Sequence, residues 1–228
     1  MTFIDELITP FIVKGAPTDQ KAFAFGQIFK APVYYPHQRL ELWRPDIVDQ
    51  RLHTARNFNI TAGVPDEFKR PLPYSFPPLE TNEEFIALRA KIRPVVLIQP
   101  PDAALAEVPK VSMGIKLERH LCVVAPAFGL ENAEGYSKVP DEFLQRVRRL
   151  EYPQFCFLAK GGPLTKDSLV RLDELQSIAI NHLQPTGFAL SAEALSLFRS
   201  QVSLFTGGSD GSEFAGYRDL FSEESSPS

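Results

Sequence analysis

Twenty prolines are spread through this 228-residue chain, against thirteen glycines, and they limit what it can fold into. Each fixes φ, removes a backbone donor and pushes the residue before it toward extended geometry, so the chain favours short strands and irregular connections over long helices. They are densest between Pro36 and Ala90, where Pro36, Pro45, Pro65, Pro71, Pro73, Pro77 and Pro78 cut the sequence into short pieces. A structureless loop of that length inside one domain is unusual, so 36–90 reads as an insertion packed on a core. One buried core carrying such an insertion suits the length, and two full domains would be cramped.

Apolar runs between the prolines supply the strands. Gly26 to Tyr35 (GQIFKAPVYY), Arg93 to Gln99 (RPVVLIQ), His120 to Ala125 (HLCVVA), Tyr152 to Ala159 and the start of Ser168 to Ile178 (SLVRLDELQSI) each read as strands, with Val111 to Glu118 as an edge strand. Four helices are expected. A short one carries Ile4, Leu7, Ile8 and Phe11. A second follows the capping box Thr81-Asn82-Glu83-Glu84, with Phe85, Leu88 and Ile92 as its stripe. Val139 to Leu150 has Pro140, Asp141 and Glu142 at its start and Arg146, Arg148 and Arg149 at its end, as a helix dipole favours. The last is capped by Ser191 and carries Leu195, Phe198, Val202 and Phe205. The fold class is therefore mainly β with peripheral helices (α+β): an N-terminal extension over 1–25, a single domain over 26–206, and a disordered acidic tail over 207–228.

A net charge of −4 argues against holding nucleic acid by global positive charge, though a local basic site remains open. Cys122 and Cys156 each lie inside an apolar run and read as small buried hydrophobes in a reducing compartment. The start MTFIDELITPF has acidic residues where a secretory signal needs cations, and no stretch is long and apolar enough to span a membrane. A cytoplasmic protein is expected. The sequence shows no Walker loop, dinucleotide fingerprint or nucleophile elbow, and its four histidines and two cysteines have no metal-ligand spacing. No cofactor is expected; a metal hydrolase built on His37, His53 and acids is the weakest reading.

What remains is charge on a strand. Arg171 and Asp173 stand two residues apart, and so share a face if the pleat continues, while Arg93 heads a buried strand. Taken alone, such a pair is most often a solvated ion pair of little consequence.

The order of these pieces resembles the MazF/PemK family of toxin endoribonucleases. GQIFKAPVYY stands where that family has a GDI-type strand, RPVVLIQ where it has RPVVVI, LCVVAPAFG where it has VVxPIT, and LTKDSLVRLDELQSI where it has LxKDSVxxxxQxRT. The resemblance runs from about Gly26 to Phe205, and its most specific parts are Arg93 to Gln99 and Pro163 to Ile178. It implies an SH3-like β-barrel with a C-terminal amphipathic helix, forming a homodimer that cleaves single-stranded RNA without a metal and is held by an antitoxin-like protein. Arg93 would face the substrate phosphate, and Arg171 and Asp173 would match the R-x-D pair of the PemK-like branch. His37 would match that branch's functional histidine. Asp173 would take a ribose 2′-hydroxyl proton, the two arginines would stabilise charge on the phosphate, and His37 would protonate the leaving oxygen.

Two departures stand out. Ala127 and Phe128 replace the family's serine or threonine, and Leu175-Gln176-Ser177 lacks the arginine of QxRT. An alternative therefore stands beside the ribonuclease: a catalytically inactive SH3-like barrel serving as an interaction module. Trp43, Tyr74 and Phe76 of the insertion read either as anchors to the barrel or as stacking platforms for bases.

Overall fold

The computed structural model describes residues 2–35, 37–38, 41–49, 54–62, 74–75, 78–79, 83–101, 121–208 and 211–223. Thr81, Asn82, His53, Phe76 and the expected edge strand Val111 to Glu118 lie outside them. The strands in chain order are β1 (Ile12–Lys14), β2 (Gln27–Tyr34), β3 (Glu41–Asp49), β4 (Thr54–Ala62), β5 (Tyr74–Ser75), β6 (Pro78–Leu79), β7 (Ile86–Ala87), β8 (Ala90–Gln99), β9 (Leu121–Gly129), β10 (Phe155–Leu158), β11 (Ser168–Arg171), β12 (Gln176–Ala179) and β13 (Gln184–Leu190). The helices are α1 (Ile4–Leu7), α2 (Asp141–Arg148), α3 (Ala192–Phe205) and α4 (Ser212–Glu223). The protein is mainly β with a few helices, and it divides into two units, Met1–Val33 with Ile92–Ser228, and Tyr34–Lys91.

In the larger unit eight strands form one sheet in the order β1-β13-β2-β8-β9-β11-β10, with β12 also paired to β9. Its described ladders are antiparallel. Alternation along the central strands feeds two apolar clusters. Val96 of β8 and Ala125 and Ala127 of β9 join a large cluster with Leu197, Phe198 and Val202 of α3. Val95, Leu97, Cys122 and Val124 point the other way and pack with Phe29, Ala31, Ile178 and Leu183. Buried on both faces, these strands read in the sequence as continuous apolar runs.

The ends of the strand order approach each other. A Cβ added to Gly162, in the turn between β10 and β11, would lie 2.7 Å from Cδ1 of Phe188 in β13 and 3.1 Å from Cγ2 of Ile12 in β1. With φ at +52° as well, glycine is the residue that fits there. Among the described residues no ladder joins β1 to β10, so the sheet is curled but not closed.

Three expectations need correction. Residues 86–87 and 90–92 are extended, not the second half of a helix, and the intended stripe residues Leu88 and Ile92 are exposed, leaving no apolar face to hold a helix. Residues 211–223 are not a disordered tail: α4 buries Phe214 and Phe221 in the large cluster. The first 25 residues are not an appendage, because Ile4, Ile8 and Phe11 belong to that cluster and β1 pairs with β13.

The smaller unit is built on β3 and β4, with β7 pairing the start of β3 and β5 pairing β6. Trp43, half-exposed, leans on Phe85 at 5.7 Å between ring centroids, within its own unit.

Both cysteines are free and buried. Burial pushes the Cys122 thiol from 9.0 up to about 11 and the Cys156 thiol up to about 12. Because the native thiols hold their protons more tightly than the unfolded ones, their stabilising contribution is complete below pH 9.0 and is lost between there and about 12. Iodoacetamide at pH 8 should accordingly leave both unlabelled in native protein and alkylate both in urea.

Candidate functional site

β9 is the spine of the site. β8 runs along one of its edges, and β11 and β12 share the other: β11 pairs with Ala127 to Gly129, β12 with Leu121 to Val124. Between the two ladders lies Pro126, which has no N–H to offer, and the opposing chain leaves the edge there in a 3-10 turn, Leu172–Glu174. Leu172 is buried and pins the turn, its N–H bonded to the Gln154 carbonyl at 2.9 Å.

This turn brings Arg171 and Asp173 together. The pleat expected to align them ends at Arg171, and the curl of the 3-10 turn places the carboxylate against the guanidinium instead. Nε of Arg171 donates to Oδ1 of Asp173 at 2.9 Å and Nη2 to Oδ2 at 2.5 Å, a side-on bidentate pair. Nη1 of the same guanidinium lies 2.8 Å from Oε1 of Glu174. The side chains of Arg171 and Asp173 are 34% and 32% exposed, that of Glu174 only 8%. Phe155, paired with Arg171 across the β10–β11 hairpin, sets its ring 5.6 Å from the guanidinium carbon. The hydrogen bond to Asp173, with both carboxylates nearby, raises the Arg171 pKa above its ordinary value, so the residue is a fixed cation.

Arg93 lies across β9. Continuing the Val95–Pro126 register by two residues sets it opposite Phe128, and its guanidinium carbon stands 4.6 Å from the centre of that ring. Phe128 is in turn opposite Leu169, two residues before Arg171 on β11. Arg93 and Arg171 thus share one face of the sheet with β9 between them. Phe128, standing where the resemblance implies a hydroxyl, is the platform for Arg93.

Of the four site residues expected from the sequence, Arg171 and Asp173 are in direct contact and Arg93 shares their sheet face. His37 belongs to the smaller unit, with its ring edge-on to Tyr35 at 6.1 Å. Glu174 and Phe155 were not anticipated. A signal for each exists in the sequence: Glu174 is three residues from Arg171, and Phe155 sits in the apolar run that must pair with SLVR across a Gly-Gly turn. Among the described residues no group of three or more His, Cys, Asp or Glu side chains could hold a metal ion, and no helix is long and apolar enough to cross a membrane. No family model matches the chain, and no curated protein matches it.

Proposed function

We propose that the face carrying Arg93, Arg171 and Asp173 binds single-stranded RNA and cleaves it through its own 2′-hydroxyl. The carrying observation is a guanidinium held bidentate against a carboxylate two residues away, both one-third exposed, on a sheet face that a second arginine shares. In this reading Asp173 takes the proton of a ribose 2′-hydroxyl and the 2′-oxygen attacks the adjacent phosphorus. The bond from phosphorus to the 5′-oxygen breaks, and water protonates the departing oxygen. The products are a 2′,3′-cyclic phosphate and a 5′-hydroxyl. Arg171 and Arg93 stabilise the charge that grows on the non-bridging oxygens, which planar guanidinium groups do well. Phe128 and Phe155 supply apolar surface beside them for an unstacked base.

The curled antiparallel sheet, with α3 packed on it, supports an SH3-like barrel as the finer description, and with it the MazF/PemK likeness. A homodimer and an antitoxin-like partner whose extended or helical segment fills the same face belong to this reading. The second reading, a non-catalytic interaction module, is favoured by Phe128 in place of a hydroxyl and by the engagement of both Asp173 oxygens.

Incubation with a long unstructured RNA in EDTA separates them. Cleavage leaving cyclic phosphate ends, reduced by about 10²–10⁴-fold in Asp173→Asn as expected for loss of a general base, supports the ribonuclease. Intact RNA with folded wild-type protein leaves the interaction module.

A further inference from the structure

We infer that Asp173 is an exchangeable stand-in for a phosphodiester on Arg171, and that Glu174 is the positioning residue that holds the guanidinium when Asp173 lets go. This rests on the reading of Arg171 as a phosphate-contacting cation. The two carboxylates are not equivalent. Asp173 sits at the outer tip of the 3-10 turn, one-third exposed, and both its oxygens lie on the Nε and Nη2 edge that a phosphate also uses. Glu174 is buried, lies 2.8 Å from Nη1 through Oε1, and belongs to the turn that Leu172 pins.

As the pair stands, one cation faces two anions, and an incoming phosphate meets a local excess of negative charge. Asp173 holds the bidentate Nε and Nη2 edge, so an anion that takes that edge of Arg171 must displace a carboxylate. The outer one is displaced at least cost, because water can solvate it on release, whereas Glu174 is only 8% exposed and would be released where water scarcely reaches. A side-chain rotation is enough to free Asp173, and the freed carboxylate lies within one turn of the bound phosphate, where a proton acceptor is needed. The Phe155 ring lies 5.6 Å from the guanidinium carbon and stays beside it when Asp173 leaves. The closed ion pair is thus the resting state of an anion receptor, and substrate binding itself releases the base.

The two carboxylates should respond to substitution with opposite signs. Arginine Nε–H cross-peaks of the full chain are followed by NMR, with the Arg171 signal assigned by its loss in Arg171→Lys, first with inorganic phosphate and then with a 2′-deoxy oligonucleotide that cannot be cut. In wild-type protein phosphate shifts the Arg171 signal. Asp173→Asn should bind phosphate about two- to fivefold more tightly, the range set by one partly exposed ion pair, and Glu174→Gln should bind it more weakly by a similar factor. Two supports acting only on structure would both weaken binding, so an unchanged or weaker Asp173→Asn overturns the exchange, as does a wild-type Arg171 signal that phosphate never moves. The opposite-sign pattern with phosphate but no oligonucleotide binding keeps the exchange and removes the RNA reading. Oligonucleotide binding without that pattern does the reverse.

Discussion

Phe214→Ala is expected to destabilise the protein by roughly 3–5 kcal/mol, the cost of emptying a fully buried aromatic site. The residue lies in a glycine-, serine- and acid-rich terminus, yet its side chain is 0% exposed within the large core cluster. The α4 backbone is tied down at both ends. Phe214 N–H donates to Ser200 Oγ at 3.0 Å, and Nη2 of Arg149 reaches the Phe221 carbonyl at 2.5 Å. Ser196 also donates to Glu213 across the same contact. Since domain stabilities run at about 5–15 kcal/mol, one such loss removes a large share of the total and moves the urea midpoint far to the left. Leu220→Ala on the exposed face of the same helix provides the contrast. Its side chain is 55% exposed, and the change should stay within about 0.5 kcal/mol. A terminus that did not dock would leave the two variants alike.

That helix shows where composition hides a pattern. Phe214, Tyr217 and Phe221 recur at intervals of three and four, the stripe of an amphipathic helix, but the surrounding residues dilute it. In the segment before β8 the error runs the other way. Phe85, Leu88 and Ile92 have helical spacing, yet Arg93 precedes Pro94 and is therefore biased to extended geometry, and the β8 pairing extends that geometry back to Ala90. Strands buried on both faces were legible because burial writes itself as uninterrupted apolar runs. α3 was legible in its cap, since Ser191 Oγ accepts from Ala194 N–H at 3.3 Å, but its buried face includes Leu197, Ser200 and Gln201 and leaves Phe205 38% exposed. Gln201 faces inward because its amide donates to the carbonyls of Pro153 and Phe155 at 3.1 Å and 2.8 Å, fixing the entry to β10 and with it the floor under Arg171. No periodicity reports a polar residue used in this way. The Arg171–Asp173 pair was legible as a pair, but a pleat cannot anticipate the 3-10 turn that joins them, nor the Glu174 carboxylate that the turn rotates inward.

Arg171→Ala should therefore act twice, and the two effects can be pulled apart. On the proposed reaction it removes the guanidinium that meets the phosphate, and cleavage should fall by about 10²–10³-fold, the usual consequence of losing one preorganised donor to a developing oxyanion. On stability it removes the Arg171 partner of the buried Glu174, whose side chain is 8% exposed, and breaking such a buried pair costs up to about 3–5 kcal/mol. A second substitution at the same contact divides the effects. In Arg171→Ala/Glu174→Leu the buried carboxylate is gone as well and the only partner of Arg171 left is the one-third-exposed Asp173, which water can solvate, so the urea midpoint should return most of the way to wild type while cleavage stays lost. If the double variant recovered cleavage with its stability, Arg171 would be only a partner for Glu174, and the catalytic reading of this face would fall. If stability stayed low in the double variant, the cost would lie in the contact with Phe155 and not in the broken pair with Glu174. Arg171→Lys sharpens the same division, because an ammonium can satisfy Glu174 as a point charge but cannot present the planar edge that Asp173 or a phosphate engages. It should keep nearly all of the stability and lose most of the cleavage.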